Sequence, residues 1–490
     1  MKLCNVGHNF DYEMEKLVRI FLPFEKIEIE KSILEQENVI ICQLYKQDDC
    51  TKALAKVNLF GKTKQSEAVV KCGLLDFEKE CQHTLARELY NCLASQLDYQ
   101  SDWGILTGVR PARLFSANCE RFGLDTAKEQ FKERFLVSEQ KISLCEETTK
   151  SEQAIVSLSK PKTFSLYVSI PFCPTRCSYC SFVSHSVDKA QDIIPQYIEK
   201  LAEELKITGE IARELGLELA TVYVGGGTPT ALDAEQLEYV LGAVAENFDL
   251  SGVLEYTVEA GRPDTITEQK LNVIKASGAT RISINPQTMN DSVLSAIGRR
   301  HSAKEMLSAF KLAREAGFDN INCDLIAGLP SDDYESFCDT VEKILELDPE
   351  SITIHALSMK RASNLTRKGE LPEIEMGRQA QKMVSFARQE LTSRSIFPYY
   401  MYRQSKTVGN LENVGYAKHG YEGLYNVYIM DETHTILACG ASAVTKMRSY
   451  YTGDIQRIFN YKYPYEYISD FDTIISRKEG IKEFYDKYYK

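Results

Sequence analysis

From residue 164 onward, short apolar runs alternate with longer amphipathic runs. The apolar runs predict six strands, at 164–170, 219–224, 254–260, 280–285, 319–326 and 351–356. The amphipathic runs predict helices between the strands, such as 194–215, 233–247 and 302–316. Because strands that alternate with helices form parallel sheets covered by those helices, we predict an α/β domain in this region. A doubly wound sheet satisfies this pattern as well as a barrel does.

The first 160 residues have a different pattern. Strand-like runs at 39–44 and 53–60 precede one long helical pattern from 77 to 97, which predicts a small α+β domain over residues 1–98. Residues 99–160 are mostly polar, contain the only tryptophan, Trp103, and end in a stretch rich in Ser, Thr, Glu and Lys, so we predict a connector. We expect the sheet domain to occupy 161–372 and a C-terminal lid or substrate domain to occupy 373–490.

The composition is ordinary for a globular protein. The 490 residues are 43% hydrophobic and 26% charged, and this length suggests two or three domains. There is no apolar run near the roughly 18 residues of a membrane span and no signal-peptide core, so we expect a cytoplasmic protein. The 14 cysteines are then metal ligands or small core residues in a reducing compartment. A net charge of −12 argues against general nucleic-acid binding.

Three cysteines stand close together after the first predicted strand. Cys173, Cys177 and Cys180 are spaced four and three residues apart on a predicted loop. A structural zinc site uses four ligands, and the usual iron–sulfur cube is held by four thiolates. Three thiolates on such a cube would leave one iron open to a small molecule, which suits catalysis; the alternative is three thiols without a metal. We expect the rings of Tyr179 and Phe182 to keep water away from the thiols.

Polar residues and glycines collect where the other strands end. A Gly-rich turn at 225–230 follows the second strand, where glycines let backbone approach a ligand closely, although a plain tight turn uses them too. Glu259 ends the third strand and Asp324 lies on the apolar fifth strand, where a carboxylate is costly without a cationic partner. Gln287 follows the fourth strand, and 299–301 place two arginines and a histidine at a helix boundary, which is either a ligand site or a solvated helix end. These positions share one rim of the predicted sheet, so we predict a common site there.

Together these residues resemble the radical S-adenosylmethionine (SAM) enzymes. The run from Tyr167 to Cys173, with Ile-Pro-Phe before the first cysteine, is similar to one branch of them. That branch contains the oxygen-independent coproporphyrinogen III dehydrogenases and the radical-type haem chaperones. The resemblance covers about 164–357, and more loosely extends to 445. The first 160 residues and 420–448 resemble the longer, Firmicute-type dehydrogenases.

The resemblance implies a fold and a set of cofactors. The fold is an incomplete parallel (β/α)6 barrel with an N-terminal α+β domain and a C-terminal α+β extension, and its chemistry lies at the carboxyl ends of the strands. The cofactors are a [4Fe–4S] cluster, held by the three cysteines, and SAM. The positions that match cofactor contacts of the family are Tyr167, Gly226, Gly227, Thr228, Glu259, Gln287, Arg299, Asp324 and Ile326.

The family also implies a role for several of these residues. The glycine turn is expected to hold the amino group of SAM, and Glu259 to face its sulfonium. Asp324 is expected to bond the ribose hydroxyls while Ile326 packs on the adenine. Tyr167 is expected to shape the catalytic pocket; the alternative is a core tyrosine at the end of a strand.

The activity implied by the resemblance is oxidative decarboxylation of two propionates of coproporphyrinogen III, which gives protoporphyrinogen IX. A flavodoxin- or ferredoxin-type donor would supply low-potential electrons. Two positions depart from the dehydrogenase pattern: Ser169 replaces a histidine, and Phe182 stands where a fourth cysteine is usual, as in the haem chaperones. A haem chaperone, a tetrapyrrole-modifying radical methyltransferase and an iron–sulfur protein without radical chemistry therefore remain alternatives. Near the C-terminus, strands at 425–430 and 433–439 predict a hairpin over the open side of the barrel.

Overall fold

The computed structural model describes residues 1–71, 76–180, 182, 184–358 and 373–489. The chain forms two compact units. The first contains Met1–Glu146, the beginning of the helix that starts at residue 373, and Tyr402–Glu412. The second contains most of the remaining chain.

A five-stranded sheet is the centre of the first unit. Its strands are β1 (Lys2–Val6), β2 (Glu28–Glu30), β3 (Val39–Gln47), β4 (Cys50–Leu59) and β5 (Lys62–Val69). Strand β1 is parallel to β2 and β3, and β3, β4 and β5 form an antiparallel meander. The apolar faces of helices α1 (Asp11–Phe21) and α2 (Phe77–Leu97) are buried with this sheet in one core. In α2 that face consists of Leu85, Leu89 and Leu93, which recur every fourth residue.

The segment predicted to be a polar connector is largely helical. It contains α3 (Pro111–Phe122), α4 (Leu124–Glu129) and α5 (Glu139–Val156). Although the segment is polar overall, it has a small core, in which Phe115 and Phe131 pack edge to face with ring centroids 5.1 Å apart. Trp103 is completely buried, and its indole N–H donates to Glu412 Oε2 at 2.7 Å.

The second unit has six strands at the positions that the apolar runs predict. In chain order, with two very short strands after the first, they are β6 (Thr163–Ile170), β7 (Phe172–Cys173), β8 (His185–Ser186), β9 (Glu218–Gly226), β10 (Glu255–Gly261), β11 (Arg281–Ile284), β12 (Ile321–Ala327) and β13 (Ser351–Ala356). The six main strands pair in the parallel order β6-β9-β10-β11-β12-β13, so their carboxyl ends form one edge. The short strands β7 and β8 pair only with each other in the described part of the chain.

Helices connect these strands, as the amphipathic runs predict. They are α6 (Val187–Ala190), α7 (Ile194–Glu214), α8 (Ala234–Asn247), α9 (Glu268–Ala276), α10 (Asp291–Ala296), α11 (Ala303–Glu315) and α12 (Tyr334–Glu346). Local sequence defines their starts: Asp233 and Ser302 form reciprocal capping boxes with residues Gln236 and Glu305 at the beginnings of α8 and α11.

The C-terminal part lengthens the sheet at both edges. Its elements are α13 (Glu373–Ser393), β14 (Phe397–Arg403), β15 (Glu412–Ala417), α14 (Leu424–Asp431), β16 (Thr435–Cys439), β17 (Val444–Arg448), β18 (Ile455–Phe459), α15 (Pro464–Ser469) and α16 (Phe471–Tyr488). Strand β15 is antiparallel to β13, whereas β16 is parallel to β6 and leads into antiparallel β17 and β18. The eleven strands run from β14 to β18 without closing into a ring among the described residues, which confirms the incomplete parallel barrel. In that same part of the chain, no helix has the length and apolar character to cross a membrane.

The predicted hairpin of 425–430 and 433–439 is wrong in its first strand. Residues 424–431 form helix α14, and the hairpin that exists joins β16 to β17. Tyrosine and β-branched residues favour a strand locally. The helix forms instead because its first turn is held from a distance: the Leu424 N–H donates to Glu255 Oε2 of β10 at 2.5 Å.

Candidate active site at the carboxyl ends of the strands

The three cysteines lie on the loop that leaves β6. Cys173 ends the short strand β7, and farther along the loop the Cys180 amide N–H donates to the Cys177 carbonyl at 3.2 Å. All three are free, partly exposed thiols. Burial raises the pKa of the Cys173 and Cys180 thiols above the usual value. These two thiols are therefore protonated at neutral pH, and a metal that binds them as thiolates has to displace the protons.

The turn after α10 holds this loop. The Ser178 N–H donates to the Ile297 carbonyl at 3.0 Å, and the Thr175 hydroxyl donates to the Gly298 carbonyl at 3.3 Å. The loop is thereby attached to the connection that follows β11. Phe182 is 65% exposed, so the expectation that its ring keeps water from the thiols is wrong.

The Gly-rich turn after β9 packs directly against the first cysteine. The Gly227 N–H donates to the Ile170 carbonyl at 2.7 Å, and Thr228 Oγ1 donates to Cys173 Sγ at 3.5 Å. A Cβ added to Gly227 would lie 2.6 Å from the Phe172 carbonyl oxygen and 3.0 Å from Cys173 Sγ. The turn and the cysteine loop therefore leave no space for a side chain at this position.

We expect Gly227→Ala to displace the cysteine loop. Overpacking of this kind costs about 1–3 kcal/mol, and here the backbone that has to move carries Cys173. Iron bound after anaerobic reconstitution should fall, measured per folded chain. The matched control is Gly242→Ala in α8, where an added Cβ meets nothing within 4 Å. It should raise stability by about 1 kcal/mol and leave the iron content unchanged. Equal iron contents in the two variants would contradict the packing argument.

Ser169, one of the two departures noted above, is enclosed by its neighbours. Its hydroxyl donates to the Ala441 carbonyl at 2.8 Å, and its own carbonyl accepts from the Tyr197 hydroxyl at 2.8 Å. Gly226, with a φ of 107°, allows the next strand to approach it closely; an added Cβ there would lie 2.9 Å from Ser169 Oγ. The side chain of Ser169 is thus engaged with the turn that follows β16.

Glu259 lies at the end of β10 with its carboxylate against the neighbouring strand β9. The Tyr223 hydroxyl donates to Glu259 Oε1 at 2.5 Å, and a Cβ on Gly225 would lie 3.0 Å from the carboxyl carbon. Burial raises the pKa of Glu259 to about 7, and the hydrogen bond from Tyr223 offsets this only in part. The site therefore holds a carboxylate that gains from a cationic ligand.

Three tyrosine rings stack beside Glu259. Tyr167 and Tyr223 have centroids 6.3 Å apart, Tyr223 and Tyr425 4.5 Å, and Tyr167 and Tyr425 6.2 Å. Sequence reasoning predicted only Tyr167. Strand alternation could have found Tyr223, which is two residues before Gly225 on the same strand. Tyr425 had no local signal, because it reaches the site from helix α14.

Backbone hydrogen bonds bring Gln287 beside Asp324 and Ile326. The Gln287 N–H donates to the Asp324 carbonyl at 2.9 Å, and the Ile326 N–H donates to the Gln287 carbonyl at 3.0 Å. Asp324 Oδ1 accepts from Asn322 at 2.8 Å, and Oδ2 lies 3.7 Å from His355 Nε2. Burial opposes the charge of Asp324, but His355 and Asn322 outweigh it and lower its pKa. His355 was not assigned from the sequence, although it lies near the end of β13, at the edge where the other strands carry their candidate residues.

Arg299 connects the cysteine loop to the end of β11. Its Nη1 donates to the Asn285 carbonyl at 2.5 Å, and its Nε and Nη2 donate to the Tyr179 hydroxyl at 3.2 and 3.1 Å. Burial works against its charge, but the Tyr179 hydroxyl and the Cys177 thiol outweigh it and raise the pKa of Arg299. The guanidinium is therefore a permanent positive charge next to the cysteines.

The two residues after Arg299 differ from each other. Arg300 is exposed, as at a solvated helix end. His301 is 3% exposed, so the alternative of a solvated helix end does not describe this residue. Burial, and then the charge of Arg299, lowers its pKa to about 4, and His301 is neutral at physiological pH.

The donor set fits an iron–sulfur cluster better than a single metal ion. Among the described residues, no three His, Cys, Asp or Glu side chains converge closely enough to bind one ion. Thiolates that share one ion at about 2.3 Å converge to within roughly 4 Å of each other. Thiolates on separate irons of a cube stand farther apart. Three free thiols on one loop, which do not converge on a single ion among the described residues, fit a cube that takes one thiolate on each of three irons.

The sequence of this chain is similar to a known protein family and to several characterised proteins. Residues 167–344 match the family model of the radical SAM superfamily. The oxygen-independent coproporphyrinogen-III oxidase-like protein HemZ of Bacillus subtilis is 36% identical over 417 residues, which cover 84% of this chain and 83% of that protein. The haem chaperone HemW of the same organism is 31% identical over 282 residues, or 56% of this chain and 70% of HemW.

A solved structure shares the fold. Coproporphyrinogen III oxidase (HemN) from Escherichia coli, a radical SAM enzyme, superposes with a TM-score of 0.51 at 22% identity, over 67% of this chain and 73% of HemN. Proteins of the superfamily use a [4Fe–4S] cluster and SAM. The residues of this chain that fit the two groups are the three cysteines and, for SAM, those around Glu259 and Asp324.

Proposed function

We propose that this chain, which belongs to the radical SAM superfamily and within it to the oxygen-independent coproporphyrinogen-III oxidase-like proteins, decarboxylates two propionates of coproporphyrinogen III oxidatively to give protoporphyrinogen IX. When bound, the cluster and SAM supply a one-electron cleavage that yields a deoxyadenosyl radical able to take a hydrogen atom from a propionate carbon. After loss of that hydrogen atom, each propionate would release carbon dioxide and pass one electron to a one-electron acceptor, which leaves a vinyl group. A flavodoxin- or ferredoxin-type donor is the proposed source of the low-potential electron.

One observation carries the proposal: the three free thiols share a strand edge with Glu259 and Asp324. Cys173 is in contact with the glycine turn, and Cys177 lies beside Arg299. Glu259 and Asp324 come from two other strands and influence each other electrostatically. Chance would not bring a cysteine loop and two half-buried carboxylates together on one edge.

The residues around Glu259 have distinct proposed tasks. Ionised Glu259 binds the sulfonium of SAM, and Asp324, kept ionised by His355, accepts from the ribose hydroxyls. The stacked rings of Tyr167, Tyr223 and Tyr425 form an apolar wall beside them. Such a wall excludes water from the reacting carbon, which protects a radical from side reactions.

A haem chaperone is the second candidate, and Ser169 is the observation that favours it. Where dehydrogenases of the family usually have a histidine, this chain has a hydroxyl that is already bonded to the Ala441 carbonyl. The site therefore has no imidazole at that position to assist a propionate or a pyrrole. The partial match to haem chaperone HemW points the same way.

One anaerobic experiment separates the candidates. Reconstituted protein is incubated with coproporphyrinogen III, SAM and a strong reductant, and the products are identified by mass spectrometry. We expect deoxyadenosine and a tetrapyrrole that has lost two carboxyl groups, both dependent on SAM. Stoichiometric haem binding without vinyl formation would favour the chaperone, and transfer of a methyl group would favour a methyltransferase. A reaction without deoxyadenosine would reject radical chemistry altogether.

A further inference from the structure

An ion pair between a buried arginine and a partly exposed aspartate follows strand β10, outside the residues discussed so far. Arg262 is 3% exposed and donates from Nε to Asp264 Oδ1 at 2.9 Å and from Nη2 to Asp264 Oδ2 at 2.6 Å. Local sequence builds this two-pronged contact: Gly261 takes a positive φ of 65°, and Pro263 begins a single helical turn that contains Asp264. The fork of the guanidinium is thus fixed in direction by a carboxylate two residues away.

The remaining nitrogen of Arg262 reaches the cysteine loop. Nη1 donates to the Thr175 hydroxyl at 2.6 Å and to the Thr175 carbonyl at 3.3 Å. Thr175 is the middle residue between Cys173 and Cys177. Its hydroxyl also donates to the Gly298 carbonyl at 3.3 Å, so one side chain links the loop to the residues after β10 and to the turn after α10.

His301, which lies near Asp264, does not compete with Arg262 for the carboxylate. His301 Nδ1 lies 4.0 Å from Asp264 Oδ1, but His301 is neutral at physiological pH and does not compete for the carboxylate. Arg262 and His301 lower the pKa of Asp264 against the effect of burial, which keeps it ionised. An ion pair whose carboxylate reaches solvent contributes little to folding, so the burial of Arg262 beside it needs another reason.

We propose that Arg262 is a positioning residue for the iron–sulfur cluster. Anchored on Asp264, its guanidinium holds Thr175 in place, so that Cys173 and Cys177 keep the separation that the cluster requires. The inference rests on the cluster site and not on the reaction with coproporphyrinogen. A planar fork is needed because one group has to bind the carboxylate and the threonine at the same time, which an ammonium does with poorer geometry.

Three variants and one control test this role. Arg262→Gln removes the charge and the fork, Arg262→Lys keeps the charge without the fork, and Thr175→Val removes only the accepting hydroxyl. The control is Arg314→Gln, which breaks a comparable two-pronged pair in the same unit, from Arg314 to Glu350 at 2.9 Å for both contacts. That pair joins the end of α11 to the residue before β13, and its hydrogen bonds do not involve the cysteine loop.

Two readouts separate positioning from a general effect on folding. The first is the rate at which reconstituted protein loses iron to a ferrous chelator under argon. The second is the alkylation rate of Cys173 and Cys177 by iodoacetamide in iron-free protein, read by peptide mass spectrometry. Melting temperatures are recorded for all variants.

We expect Arg262→Gln to accelerate iron loss at least about tenfold and to accelerate alkylation. Loss of one charge-assisted hydrogen bond shifts the equilibrium between the held and the released loop by about this factor. Arg262→Lys should resemble Arg262→Gln, and Thr175→Val should shift both rates in the same direction without a large fall in melting temperature. Arg314→Gln should lower the melting temperature and leave both rates unchanged.

Wild-type rates in Arg262→Gln, full rescue by lysine, or equal rates in Arg262→Gln and Arg314→Gln would each overturn the proposal. If Arg262→Gln does not fold, wild-type rates in Thr175→Val overturn it. Neither readout uses a tetrapyrrole, so failure here leaves the proposed reaction untouched.

Discussion

Replacing Cys177 by alanine is expected to lower the rate of deoxyadenosine release from SAM by roughly a thousandfold or more. A cube held by two protein thiolates has lost a third of its anchorage, and the electron has to reach SAM through that cube. Cys177 is also the cysteine that lies beside Arg299, so its removal takes away one of the groups that face that guanidinium. Deoxyadenosine is measured by chromatography after anaerobic incubation with SAM and reductant, and iron and sulfide are measured per chain.

Cys338 provides the matched control. It is a partly exposed, free thiol on α12 in the same unit, away from the cysteine loop in sequence. Cys338→Ala should retain full iron content and full deoxyadenosine release. Unchanged release in Cys177→Ala would remove the basis of the proposed function, because the chemistry would then not depend on the predicted cluster.

Replacing Glu259 by glutamine is expected to weaken SAM binding about ten- to hundredfold at pH 8. The loss corresponds to one hydrogen bond or contact with a charged group, about 1.5–3 kcal/mol. Glutamine keeps the size of the side chain and still accepts from the Tyr223 hydroxyl, so the packing around β9 is preserved. The affinity is measured by calorimetric titration of SAM into cluster-loaded protein.

The pH dependence distinguishes a binding carboxylate from a structural one. The pKa of Glu259 is raised to about 7, mainly by burial, and a sulfonium favours the ionised form. Affinity for SAM should therefore fall about tenfold for each pH unit below 7, since one proton is released on binding. The Glu259→Gln variant should not show this fall in SAM affinity below pH 7. Parallel pH profiles of the two proteins would contradict the assignment of Glu259 to the sulfonium.

The contribution of Glu259 to folding stability should fall as the pH rises, whereas its contribution to SAM affinity should rise. A carboxyl whose folded pKa lies above its unfolded value binds more protons in the folded state, so its contribution to stability is present below about pH 4.5 and is lost as the pH rises to 7. Without SAM, Glu259→Gln should therefore melt at a higher temperature than the wild type at pH 8. At pH 4.5 the two should be nearly equal. A residue that lowers stability and raises affinity is one retained for binding.

Much of the second unit was predictable because its signals are local. A strand buried on both faces is an apolar run, so all six parallel strands lie where the sequence indicates, and capping residues such as Asp233 and Ser302 define helix starts. The cysteine triplet and the two carboxylates were visible for the same reason, since each is a short motif or a polar residue on an apolar strand. The parallel order of the strands then brings their ends to one edge.

The errors all involve contacts between distant parts of the chain. Residues 424–431 form a helix because Glu255 of β10 accepts from its first turn, and Tyr425 thereby reaches the tyrosine stack. Residues 99–160 have a polar composition but pack around aromatic residues such as Phe115. Phe182 is exposed and His301 is buried, and neither outcome could be read from the residues next to it in the sequence.

The amino-acid sequence alone determined the alternation of strands and helices, the cysteine spacing and the carboxylates at strand ends, because periodicity and motifs depend on neighbouring residues. Tertiary structure alone decided which side chains surround them: Tyr223 and Tyr425 beside Glu259, His355 beside Asp324, and Arg262 on Thr175. These partners come from different strands and loops, and burial, which sets the pKa of Glu259, exists only when the chain has folded around them.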